Sequence, residues 1–102
     1  MTLDGRIEKR IPMGIPVYLV SLKMPRTRER VLTENVSPHG ACVVTKRRRQ
    51  PGEDQRISPL SGQFQLSAQV IYCQPLANGG FCVGLDFRGC PVNWEAELVS
   101  AS

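Results

Sequence analysis

Short apolar runs broken by Gly, Pro and Asn recur along the whole chain, the pattern of an all-β domain. Six runs read as strands: residues 15–23 (IPVYLVSLK), 28–34 (RERVLTE), 40–45 (GACVVT), 54–58 (DQRIS), 64–73 (FQLSAQVIYC) and 81–87 (FCVGLDF). The fifth alternates, with Phe64, Leu66, Ala68, Val70 and Tyr72 on one face and Gln65, Ser67, Gln69, Ile71 and Cys73 on the other. The sixth sets Phe81, Val83, Leu85 and Phe87 against Cys82, Gly84, Asp86 and Arg88. Asn78-Gly79 between these two runs is a hairpin signal, so they pair antiparallel with their apolar faces on one core. That parity puts Cys73 and Cys82 together on the outer face, where oxidation could join them, although two unpaired thiols are the default.

The connecting stretches complete the picture. KRRRQPGED (46–54) reads as a solvated basic loop turning at Pro51-Gly52. The tail is expected to form a short helix from Asn93 to Val99, capped by Asn93, with Trp94 and Leu98 on one side covering the end of the core. A length of 102 residues suits a single domain, and 41% hydrophobic content is enough for it to fold. No apolar run reaches the ~20 residues of a membrane span. The first 20 residues lack the apolar core of a secretory signal, so the expected location is the cytoplasm, without membrane insertion.

Charge adds an asymmetry that composition hides. Residues 1–50 hold 11 Lys or Arg against 4 Asp or Glu, a net +7, whereas residues 51–102 hold 2 against 5, a net −3. The first half can attract an anion. Catalysis finds little support: His39 is the sole histidine, and the acids show no matched spacing. The cysteines 42, 73, 82 and 90 contain no Cys-x-x-Cys pair, so no metal site is expected and reduced thiols in or near the core are the default. A single-strand nucleic-acid binder would expose aromatic platforms beside its basic groove. Here Phe64, Tyr72, Phe81 and Phe87 take the inward parity, so that class is disfavoured.

Two segments carry candidate chemistry. RIEKR places Arg6 and Arg10 four apart before the first strand, and NVSPHG supplies the Asn35 amide, the Ser37 hydroxyl and a Gly40 that could take a positive φ or admit a ligand. Alone, the second is a turn with Asx or Ser chemistry. Together, Arg-x-x-x-Arg followed by Asn-x-Ser-x-x-Gly resembles the two-part signature of the PilZ domain family. The RIP segment, NVSPHGACV, PGE, AQVIYC and FCVGLDF fall where such domains have similar segments, over residues 6–88.

The resemblance implies a six-stranded antiparallel PilZ-type β-barrel with a short C-terminal helix. It implies a domain with residues 1–12 as a flexible ligand-binding loop, 13–88 as barrel and 89–102 as tail. It also implies a receptor for cyclic di-GMP. Arg6 and Arg10 would fork onto guanine O6/N7 or phosphate, and Asn35 and Ser37 would bond a guanine from the barrel surface. Gly40 would leave room for the base, with Lys9 and His39 as secondary contacts. Asn35 offers one neutral acceptor oxygen where Asp, also found there in the family, offers two charged ones. Gly5 breaks the Arg-Arg doublet that accompanies a stacked ligand dimer, which favours one ligand per protomer. With no second domain in these residues, output is expected through a protein effector. Rival readings are a PilZ-fold interaction module without nucleotide and a basic nucleic-acid-binding barrel.

Overall fold

The structure, a computed structural model, describes residues 9–60, 65–89 and 91–94. Seven strands follow one another: β1 (Ile11–Pro12), β2 (Pro16–Ser21), β3 (Met24–Ser37), β4 (Gly40–Thr45), β5 (Asp54–Pro59), β6 (Leu66–Pro75) and β7 (Phe81–Phe87). All pairings are antiparallel, in the order β1-β3-β2-β5-β6-β7-β4, and β4 returns to β3. Six strands therefore close a barrel, as expected, with no open sheet edge among them.

β1 and β2 lie end to end along the long β3: Pro12 faces Asn35, and Pro16 faces Leu32. Between them, Met13-Gly14-Ile15 departs from regular strand but stays tied to β3, Met13 N–H donating to the Glu34 carbonyl at 3.2 Å and Thr33 N–H to the Ile15 carbonyl at 3.0 Å, and the buried Thr33 hydroxyl bridges the gap. It donates to the Met13 carbonyl at 2.5 Å and accepts from the Ile15 N–H at 2.8 Å. Part of the stretch expected as an N-terminal loop is thus strand, pinned to β3.

Inward parity supplies the core. Val17 and Leu19 of β2, Val43 of β4, Ile57 of β5 and Val83 and Leu85 of β7 are all buried. Trp94 covers one end, its ring centroid 5.7 Å from that of Phe87 and its Nε1–H donating to the Ser37 carbonyl at 2.7 Å. Of the expected helix from Asn93 to Val99 only Asn93 and Trp94 are among the described residues, Trp94 being helical, and the rest lies outside them. No described helix is long and apolar enough to cross a membrane.

Three expectations need correction. First, β3 spans 14 residues, because the β2–β3 reversal is a tight turn at Leu22-Lys23. Met24-Pro25-Arg26-Thr27 resembles a turn in composition. In fact Ser21 pairs with Met24 and Val20 with Arg28, so Pro25, Arg26 and Thr27 bulge out where Pro forfeits no ladder bond. Second, Arg49 is not a solvated loop charge. It is 5% exposed, donating to Glu29 Oε1 and Gln55 Oε1, each at 2.6 Å, while Lys46, Arg47 and Arg48 stay exposed. Third, the alternation of β6 breaks. Val70 pairs with Leu85 and Tyr72 with Gly84, so Ile71 is an extra residue and the parity inverts beyond it. Cys73 turns toward the core and Tyr72 outward. Cys73 faces Val83 while Cys82 faces Gln74, so the two thiols expected together are on opposite sides of the barrel wall.

Candidate functional site

The two sequence motifs meet at one place on the barrel wall. Arg10 immediately precedes β1, whose pairing fixes Ile11 against Val36 and Pro12 against Asn35. That register delivers the guanidinium to the end of β3, where Arg10 Nη1–H donates to Asn35 Oδ1 at 2.9 Å. Arg6 lies outside the described residues, Lys9 is exposed, and His39 is exposed in the two-residue turn Pro38-His39 that joins β3 to β4. Ser37 is buried at the last position of β3, facing Gly40.

Gly40 explains its own identity, though not by a positive φ, which it does not have. A Cβ there would lie 2.8 Å from the Leu85 carbonyl oxygen, 3.6 Å from Ser37 Oγ and 3.7 Å from Arg10 Nη2. The glycine lets β4 approach β7 and leaves room beneath the arginine. Asn35, Ser37, Gly40 and Arg10 are therefore brought together.

Asn35 faces outward because of a second bulge. Thr33 pairs with Val43 and Asn35 with Cys42, which leaves Glu34 as the extra residue. Thr33 and Val36 remain buried, while Glu34 and Asn35 both stay on the outer side. From Asn35, a row of direct cross-strand partners runs across four strands: Asn35, Cys42, Gly84, Tyr72. Gly84 carries no side chain, and a Cβ there would fall 2.2 Å from the Tyr72 ring, so the ring fills that space. An aromatic ring covering a glycine on the paired strand is a known device of sheet packing. It takes the Tyr72 hydroxyl across β7 to the neighbourhood of Cys42.

Cys82, one step along β7, joins the same cluster. Both the Cys42 and Cys82 thiols point at Glu34 Oε1, each at 3.9 Å. Burial first, then hydrogen bonding to Cys42 and the charges of Cys42 and Glu34, pushes the Cys82 thiol up to about 12. Burial and the same Cys42 contact raise the Tyr72 phenol, against a smaller lowering by Arg10. The sequence reading missed this cluster. Strict alternation hides it, because it puts Tyr72 on the core face and Gly84 on the outer one.

No protein-family profile matches the sequence, and no curated protein matches it. Solved structures do. The PilZ domain of CeSA from a cellulose-synthesizing bacterium aligns with a TM-score of 0.58 at 21% identity, over 88% of each chain. The Bacillus subtilis inhibitor of motility MotI/DgrA aligns with a TM-score of 0.66 at 19% identity, over 95% of this chain and 48% of its own. At such identities the likeness concerns architecture, and it agrees with the closed antiparallel barrel: the chain has the fold of a PilZ domain.

Proposed function

We propose that this protein is a receptor for cyclic di-GMP that signals through a protein partner, with Arg6, Arg10, Asn35, Ser37 and Gly40 as the ligand-binding residues. The observation that carries the reading is the 2.9 Å bond from Arg10 to Asn35, which joins the two halves of the motif across 25 positions of sequence. A guanidinium held in this way keeps further N–H groups for a phosphate or for guanine O6/N7. Asn35 accepts from Arg10 through Oδ1, so its amide N–H groups remain to donate to an acceptor edge of the base. Gly40, with no side chain beneath the Arg10 guanidinium, keeps the hairpin tight so that Arg10 and Asn35 can present their free N–H groups to a base. Lys9 and His39 flank this surface as secondary contacts. Two outward tyrosines, Tyr18 under Arg28 at 4.2 Å and Tyr72 on Gly84, do not make the row of stacking platforms used for single strands. This supports a dinucleotide over a nucleic acid.

Calorimetric titration with cyclic di-GMP, beside single-stranded DNA and RNA, tests the reading. Saturable binding of the dinucleotide alone is expected. Arg10→Ala should cost about 2–5 kcal/mol of affinity, the scale of a lost charged hydrogen bond. Arg10→Lys should recover little of it, because an ammonium lacks the planar fork. If the wild type shows no saturable binding at tens of micromolar, the receptor reading is wrong. Preferential binding of either single strand would favour the nucleic-acid barrel instead.

A further inference from the structure

Sequence spacing argues against a metal site, since ligand pairs usually sit close along the chain. Sheet register can assemble ligands that sequence keeps apart. The Glu34 carboxylate and the Cys42 and Cys82 sulfurs, from three adjacent strands, have ligand atoms within 4.8 Å of one another. The bulge in β3 turns Glu34 toward the thiols, and the bulge in β6 turns Tyr72 over them. Bulges of this kind recur beside functional sites because they re-aim side chains.

We propose that Glu34, Cys42 and Cys82 form a binding site for a zinc-type divalent cation on the outer wall of the barrel. The donor set, two sulfurs and a carboxylate, is the one that borderline-soft ions such as Zn²⁺ select. With Zn–S near 2.3 Å and Zn–O near 2.1 Å, tetrahedral ligands stand about 3.5–3.8 Å apart. The two sulfur-to-oxygen distances of 3.9 Å therefore need to close by only a few tenths of an ångström. The Tyr72 ring, packed on Gly84, carries its hydroxyl beside Cys42, where as an outer partner it would steady the thiolate without ligating the ion.

Charge balances in the binding step. The cation forms bonds to both sulfurs and to the ionised carboxylate, each Cys S–H breaks, and two protons leave to solvent, so the net charge of the site is unchanged. The site adjoins the Arg10–Asn35 pair but does not depend on what that pair binds.

The test uses the full chain, reduced with a non-thiol reductant, and Co²⁺ as a spectroscopic probe for Zn²⁺. Expected are a sulfur-to-cobalt charge-transfer band with the visible bands of tetrahedral Co²⁺, saturation at one ion per chain, displacement by equimolar Zn²⁺ and release of two protons per ion. Cys82→Ser, at a half-exposed position, should abolish the charge-transfer band or halve its intensity per ion, with far-UV circular dichroism unchanged. Glu34→Gln, at an exposed position, should weaken binding. Tyr72→Phe, which keeps the ring on Gly84, should weaken it about 10–100-fold, the usual cost of losing an outer-shell partner. Three results would each overturn the proposal: no thiolate band in the reduced wild type, a band unchanged in Cys82→Ser, or saturation at one ion per two chains.

Discussion

Single side chains decide how closely this barrel wall can be built. Gly40 is required by contact with backbone: an added Cβ meets the Leu85 carbonyl at 2.8 Å, and a carbonyl in a ladder cannot step aside without parting β4 from β7. Gly40→Ala should therefore destabilise the protein by about 1–3 kcal/mol, the range for overpacking, read from the urea midpoint at unchanged slope. A midpoint equal to wild type would mean that the strands are not in such close contact. Cys82 makes a different kind of prediction. Its ordinary value of 9.0 applies to the unfolded chain, and the folded value is about 12. Between those values the native state keeps a proton that the unfolded chain has lost. The contribution is therefore complete below pH 9 and is lost as pH climbs toward 12. In metal-free protein, the stability difference between wild type and Cys82→Ser should shrink across that window. The groups facing the thiol, Cys42, Glu34 and Tyr72, are common to both proteins, so parallel pH profiles would show that Cys82 is not shielded. Alkylation of Cys82 by iodoacetamide should likewise be slower in the folded chain than in urea at the same pH, because the thiolate is the nucleophile.

At the scale of elements, the loop between β4 and β5 is held by its one buried cation. Arg49 bridges Glu29 of β3 and Gln55 of β5, and its backbone N–H donates to Cys73 Sγ at 3.5 Å. Arg49→Ala takes the cation from a carboxylate that is itself only 13% exposed, leaving it the Lys46 N–H at 2.6 Å, and should cost about 3 kcal/mol, whereas Arg47→Ala or Arg48→Ala, at exposed positions, should stay within ~0.5 kcal/mol. Thermal unfolding of the three variants checks this, and a flat series would contradict the buried pairing. From sequence these arginines were indistinguishable, because burial of Arg49 depends on partners 20 residues before it and six after. The same limit recurs elsewhere. Alternation and Asn78-Gly79 were enough to read the β6–β7 hairpin, since side-chain parity and turn chemistry are local. The bulges at Glu34 and Ile71 were illegible, because an extra residue shows only when the partner strand is known. Everything beyond Ile71 in β6 was consequently read on the wrong face, and the Tyr72–Cys42–Cys82 cluster went unseen. The motif half of the site was legible because Asn35, Ser37 and Gly40 lie within one hairpin. The direct bond from Arg10 was not, since it depends on the pairing of two-residue β1.

For the whole molecule, the proposed clamp links binding to folding. Arg10 and Asn35 come from segments that meet only in the closed barrel, so a ligand gripped by both binds the native state and not the unfolded chain. Mass action then adds about 2.7 kcal/mol of stability at a ligand concentration 100 times the dissociation constant. For a domain of 102 residues, that corresponds to a rise in Tm on the order of 10–20 °C. Arg10 is exposed and lies outside the core, so Arg10→Ala should leave the Tm of the free protein within about 2 °C while removing most of the increment from cyclic di-GMP. The same experiment distinguishes occupancy from ordering. Protection of the amides of residues 9–11 in hydrogen exchange should rise with ligand if the segment before β1 is clamped against Asn35. An increment in Tm without that protection would place the dinucleotide on the barrel wall alone, with the N-terminal arginines outside the contact.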